Sequence, residues 1–105
     1  MEEYVINETD YFTEWLDDLK DLDGKQIIVR RVKQARKGNF GDCRWNIEDG
    51  VSEMRIHYGP GYRLYFCQRG NQVYLLLIGG IKKSQTRNLE RAKEIKREAE
   101  ETNKW

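Results

Sequence analysis

From Arg44 onward apolar residues recur at every second position, in four runs near 44–47, 51–58, 62–68 and 71–78. Alternation with period two marks half-buried strands. The runs are separated by Asp49-Gly50, Gly59-Pro60-Gly61 and Gly70-Asn71. Connections this short join antiparallel neighbours, so the second half of the chain is expected to form an antiparallel meander. Gly79-Gly80 follows the last run and is expected to end the sheet.

Upstream the period is that of a helix. After a short β-prone start at Tyr4-Val-Ile6, Thr9 is placed to cap a helix whose Phe12, Trp15, Leu16 and Leu19 fall on one face. Asp10 and Glu14 lie in its first turns, where the helix dipole favours negative charge. Asp23-Gly24 is expected to break this helix. Ile27, Ile28, Arg31, Val32 and Ala35 continue a second one as far as Gly38, giving a helical hairpin. A loop follows at 38–42. Beyond the sheet, Leu89, Ala92, Ile95 and Ala99 give a final helix only a thin apolar stripe, which predicts peripheral packing. Residues 1–105 thus read as one α+β domain in the order β-α-α-β-β-β-β-α. Trp105 is expected as either a packed anchor or a disordered tail.

The segment RIHYGPGYRLYF, residues 55–66, carries the chemistry. If Tyr58 opposes Tyr62, Ile56 meets Leu64 and Met54 meets Phe66, an apolar face for the core. The other face then pairs His57 with Arg63, Arg55 with Tyr65, and Glu53 with Cys67. Opposed Cβ atoms lie about 5 Å apart. A slip of one residue would turn arginine into the core, which disfavours it. Two arginines and the chain's only histidine repel one another at that range unless an anion or Glu53 lies among them. Tyr65 would offer a surface for a base to stack on. The alternative is a solvated face with a Glu53–Arg55 ion pair. Lys82 and Lys83 leave the sheet at the start of the last helix, where backbone N–H groups favour phosphate.

Net charge is +1, but it is unevenly divided. Residues 1–24 hold nine acids and one base, residues 25–87 thirteen bases and four acids, and the last eighteen residues five of each. The two halves either neutralise one another or leave a basic middle that attracts a polyanion, since nearby charge outweighs the total. No run approaches the roughly 18 apolar residues of a membrane helix. The acidic start MEEYVINETD lacks the basic and apolar regions of a signal peptide. A cytoplasmic location is expected. Cys43 and Cys67 lack Cys-x-x-Cys spacing or a histidine cluster, so neither structural zinc nor a disulfide is expected.

Gly38-Asn39, Gly41-Asp42, Gly50-Val-Ser-Glu-Met-Arg-Ile-His-Tyr-Gly-Pro-Gly-Tyr-Arg-Leu-Tyr-Phe66, Leu75-Leu-Leu-Ile-Gly-Gly80, Lys82 and Gln85 together resemble the RelE/ParE toxin superfamily, more narrowly its HigB-like addiction module killer branch. The resemblance spans nearly the whole chain. It implies a RelE-like fold, two N-terminal helices on a mainly antiparallel sheet with a C-terminal helix. It further implies a metal-independent, cofactor-free endoribonuclease cutting messenger RNA, commonly at the ribosome. A cognate antitoxin, a helix-turn-helix protein in relatives, would silence it, and operator DNA would be reached only through that antitoxin. Carried over, Arg63 matches the family's phosphate-binding arginine. Arg55, His57 and Lys82 or Lys83 fall where relatives carry basic residues. Tyr65, Lys83, Gln85 and Arg44 are the candidate RNA contacts. Many relatives have Gly-Asp-Lys where this chain has Gly80-Ile81-Lys82, and the last helix has no tyrosine to match one used by some relatives.

Arginine suits charge stabilisation at a phosphate attacked by a 2′-hydroxyl, because it stays protonated and offers a planar fork of donors. The proton carrier is then His57 or a lysine, Lys82 or Lys83. Two other readings stay open: a ParE-like DNA gyrase inhibitor without nuclease chemistry, and a non-catalytic protein-interaction module.

Overall fold

The computed structural model describes residues 4–71 and 73–102; Trp105 lies outside them. The elements are β1 (Val5–Glu8), α1 (Asp10–Asp18), α2 (Leu22–Arg36), β2 (Cys43–Glu48), β3 (Val51–Ile56), β4 (Tyr62–Arg69), β5 (Val73–Ile81), a 3-10 turn (Lys82–Ser84) and α3 (Gln85–Glu101). This is the α+β order that the periodicity predicts. The sheet runs β1-β5-β4-β3-β2. β2 to β5 form the antiparallel meander, and β1 joins β5 in parallel at one edge.

Thr9 does cap α1, accepting from the Phe12 amide at 3.0 Å. Its hydroxyl also donates to the Leu77 carbonyl at 2.7 Å, fixing the helix start against β5. The break between the helices lies earlier than Asp23-Gly24. Asp21 caps α2 by accepting from the Gly24 amide at 3.0 Å, so Gly24 belongs to the first helical turn. Glycine is needed there because a Cβ would come within 2.8 Å of Tyr62. The Tyr62 hydroxyl donates to the same Asp21 at 2.8 Å.

α1 and α2 cover one sheet face, where Phe12, Ile28, Val32 and Ala35 pack with Met54, Ile56, Tyr62, Leu64 and Phe66. α3 covers the other and is not peripheral. Its buried Ala92, Ile95 and Ala99 pack against Val51, Tyr65, Cys67, Leu75 and Leu77. The stripe is thin because two of its members are alanines, and those short side chains let the helix approach the sheet closely. A second core takes the place of the expected open cationic face.

Two registers differ from expectation. In the β3–β4 hairpin, Ile56 pairs with Tyr62, Arg55 with Arg63, Met54 with Leu64 and Glu53 with Tyr65. The ladder stops at Ile56, so the turn takes in residues 57–61, with Gly59 and Gly61 at φ of 56° and 79°. The shift from the predicted pairing is two residues, which keeps every side chain on its predicted face while changing its neighbour. The sheet also continues through Gly79-Gly80. Tyr65 pairs with Ile78 and Phe66 with Leu76, leaving Leu77 as an extra residue in β5. This bulge swaps the alternation, so that Gly79 faces α1 and Gly80 faces α3. Both must be glycine: a Cβ at Gly79 would overlap the Trp15 ring, and one at Gly80 the Asn88 amide.

Gly80→Ala is expected to cost about 1–3 kcal/mol through overpacking. Asn88→Ala should recover part of that loss in the double variant, because the obstacle is the end of a side chain. Urea denaturation of the three variants checks this.

Candidate anion-binding site

The side chains of β3 and β4 that face α3 include Glu53, Arg55, Arg63 and Tyr65. Arg55 and Arg63 are directly opposed, an arrangement of like charges that is unfavourable without a counter-charge. For Arg55 that counter-charge is Asp42. Its Oδ1 accepts from Arg55 Nη2 at 2.7 Å, and its Oδ2 lies 2.5 Å from His57 Nε2. These two bonds, the arginine's first, hold the Asp42 carboxyl well below its ordinary 3.8, at about 2.

Asp42 is held by the loop before β2. Arg31 reaches from α2 and donates to the carbonyls of Arg55 at 2.7 Å, Phe40 at 2.8 Å and Asp42 at 3.2 Å. The Arg55 amide donates back to the Asp42 carbonyl at 2.9 Å. Gly41, at φ of 65°, lies against the Arg31 guanidinium, where a Cβ would come within 2.9 Å. Sequence reasoning named Glu53 or an anion as the neutralising group and missed Asp42. The available signal was the β2–β3 pairing: once Cys43 meets Met54, the preceding residue must lie beside Arg55.

Among the described residues Arg63 has no such partner. It is 4% exposed, and its Nε and Nη1 make no hydrogen bond. Glu53 on the neighbouring strand is 2% exposed. Its Oε1 lies 3.8 Å from Arg44 Nη1 without a hydrogen bond, and its Oε2 accepts from Gln85 Nε2 at 3.4 Å. The Tyr65 hydroxyl is also buried and lies opposite Glu53 without a well-formed hydrogen bond among the described residues; burial first, and then the Glu53 carboxylate, push its pKa well up. Such orphaned buried donors are uncommon in native proteins and call for a physical account.

The predicted site residues thus separate. Arg44, half exposed, and Gln85 approach the buried Glu53 from the edge, and Arg63 lies on the same sheet face beneath α3. Arg55 and His57 stand together at the rim on Asp42. Lys82 is exposed on the turn before α3 and crosses the hairpin loop, its Cβ 3.1 Å from where a Gly61 side chain would begin. Lys83 is exposed beside it without a contact that ties it to the cluster. Two expectations are corrected. Tyr65 is wholly buried beneath α3, so no base stacks on it. His57 opposes Asp42 rather than Arg63, because the hairpin ladder ends one residue before it.

Cys43 and Cys67 are free thiols, and burial pushes each up to about 12. Among the described residues no group of three or more His, Cys, Asp or Glu could hold a metal. No helix among them is long and apolar enough to cross a membrane. A hollow of 430 Å³ lies elsewhere, between α1 and α3, and its walls carry Glu8, Asp10, Glu14 and Glu98. That sign of charge does not suit a phosphate.

The chain is therefore an α+β domain with a buried arginine that has no ion-pair partner among the described residues, opposed by a second arginine across the β3–β4 hairpin. No family model matches it. It is similar to an uncharacterized protein of Haemophilus influenzae, 39% identical over 93 residues that cover 89% of this chain and 93% of that one. The chain belongs to the same family as that protein.

Because the folded pKa of Asp42 is depressed, its contribution to stability is present above about 4 and is lost as pH falls towards 2. Thermal melts should show wild type losing its advantage over Asp42→Asn across that window. Tyr65→Phe removes a buried hydroxyl that lies beside the Glu53 carboxylate without a well-formed hydrogen bond, and is expected to change stability by no more than about 1 kcal/mol. Chemical denaturation measures that difference.

Proposed function

We propose that this chain is the toxin of a type II toxin–antitoxin pair with a RelE-like fold, a metal-independent endoribonuclease that cuts messenger RNA at the ribosome. The observation that carries the reading is Arg63. A guanidinium 4% exposed, opposed by a second arginine and with two nitrogens unbonded, is suited to an anionic ligand, and a phosphodiester fits its planar fork. Lys82 at the mouth of the turn and Arg44 and Gln85 around Glu53 support the same reading, since each brings a donor to the edge of the cluster.

In this mechanism the RNA 2′-hydroxyl attacks the neighbouring phosphate. Arg63, with Arg55 beside it, stabilises the added negative charge on the phosphoryl oxygens. One group must take the 2′-hydroxyl proton and one must protonate the leaving 5′-oxygen. His57 stands at the rim with its side chain 70% exposed, within reach of a substrate lying along the hairpin, and Lys82 is the other candidate. Asp42 positions His57 by engaging Nε2, which leaves Nδ1 for proton exchange with the substrate. A helix-turn-helix antitoxin would be the silencing partner in the cytoplasm, and operator DNA would be contacted through it.

The depth of Arg63 beneath α3 favours a second reading, a non-catalytic inhibitor of the ParE kind that acts on DNA gyrase or another protein target.

Induced expression of wild type and of Arg63→Ala in a bacterial host, followed by 5′-end mapping of messenger RNA, tests the proposal. Growth arrest with new in-frame cuts, both absent in the variant, is the expected result. Arrest without cuts supports the second reading. His57→Ala should lower the cleavage rate about 10²–10⁴-fold if His57 moves a proton; an unchanged rate passes that role to Lys82.

A further inference from the structure

The outer helices treat their charges differently. α3 carries five bases and five acids, and three of its bases are in ion pairs: Arg91 with Glu94 at 3.2 Å, Lys93 with Glu48 and Glu90 at 2.8 Å each, and Lys96 with Glu100 at 3.1 Å; Arg87 and Arg97 are exposed and, among the described residues, in none. α2 carries five bases and a single acid, Asp23. Two of those bases turn towards the sheet, where Arg31 holds three carbonyls and Arg36 donates to the Ile6 carbonyl at 3.2 Å. Lys25 reaches the Asp17 carbonyl at 3.2 Å. Arg30 and Lys33 are exposed and, among the described residues, in no ion pair.

Leu22, Lys25, Gln26, Val29, Arg30 and Lys33 recur at helical spacing and so form one stripe on the outer face of α2. Leu22 is 68% exposed and Val29 38%, and Tyr58 of the hairpin turn, 37% exposed, stands at the side of the stripe. Two shallow hollows run along it, of 340 and 310 Å³, and both are bounded by Gln26 and Arg30. The first has Val29 with Lys25, Arg30 and Lys33 around it; the second is bounded by Ile27, Tyr58, Arg30 and one acid, Asp23, so three cations face a single carboxylate along the stripe.

We propose that this face of α2 docks an acidic amphipathic helix of a protein partner. Leu22 and Val29 are seven residues apart, about 10.5 Å along the helix at 1.5 Å per residue. That separation matches the i, i+7 anchors of a helix laid alongside. Arg30 and Lys33, with Lys25 flanking, then meet carboxylates on the partner's edges, which supplies steering and register. An RNA backbone would engage the cations but gain nothing from covering Leu22 and Val29, whereas an aliphatic stripe on a helix gains from burying both. The inference does not rest on the ribonuclease reading. The stripe lies on the helical side of the sheet, away from Arg63, which faces α3.

The test uses the full chain, isotopically labelled, and three probes: a synthetic acidic helical peptide with a leucine stripe, the same composition scrambled to break that stripe, and a single-stranded RNA oligonucleotide. The helical peptide should shift backbone resonances of residues 22–33 and of Tyr58 saturably. Leu22→Ser with Val29→Ser, and separately Arg30→Ser with Lys33→Ser, should each weaken binding about tenfold or more. These positions are on the exposed side of α2, and circular dichroism verifies that the variants keep their helix content. The proposal is overturned by no shift in α2 at millimolar peptide, equal binding of the scrambled peptide, unchanged binding by either double variant, or a stronger response of α2 to RNA. Concentration-dependent self-association that produces the same shifts without peptide would assign the face to a second copy of the chain, and would also overturn it.

Discussion

β4 lies at the centre of the sheet with helices against both of its faces, and that enclosure decides the state of every polar side chain it carries. The six residues from Tyr62 to Cys67 are all buried. On one face this is ordinary core, with Tyr62, Leu64 and Phe66 under α1 and α2. On the other it forces Arg63 and Tyr65 beneath α3, with Glu53 brought in by β3. A charge taken out of water is costly unless it is paired and hydrogen-bonded. The central strand therefore creates the demand for a counter-ion, and the rest of the site is the set of groups placed around that demand.

The two opposed arginines divide that demand unequally. Arg55 is met by Asp42, a carboxylate fixed from outside the sheet by the Arg31 contacts to three carbonyls. Because Asp42 also engages His57, its charge is committed at the rim and does not extend to Arg63. Glu53 shares the buried face but is aligned with Arg44 and Gln85. Positive charge thus remains at the centre of the hairpin, with a cation and an amide donor at its margins.

Much of this was legible in the sequence, and the exceptions have identifiable causes. Period-two runs and short turns define the meander, and the alternation assigns Met54, Ile56, Leu64 and Phe66 to one face correctly. The hairpin register was not legible, because a turn of three or of five residues keeps the same face assignment and only the ladder distinguishes them. Gly79-Gly80 reads as a chain break, yet its cause is tertiary: Trp15 and Asn88 occupy the space of the missing side chains. A bulge at Leu77 reverses the alternation there, and nothing local in Leu75-Leu-Leu-Ile78 announces it. The role of α3 was underestimated because a stripe containing two alanines reads as weak, although small residues permit the closest packing. The cationic residues were found from composition and spacing. Their burial, and the identity of Asp42 as partner, depend on contacts thirteen or more positions apart.

The central claim is that Arg63 is held in reserve for an anion. The measurement that tests it most directly is side-chain nitrogen NMR of the Arg63 guanidinium during titration with inorganic phosphate and with a nucleoside 3′-monophosphate. The account predicts a saturable shift of the Arg63 Nε–H resonance that is absent for the Asp42-bound Arg55. An Arg63 resonance that ignores both ligands and instead shows direct coupling to the Glu53 carboxylate would contradict it, and would make the cluster a closed structural ion pair.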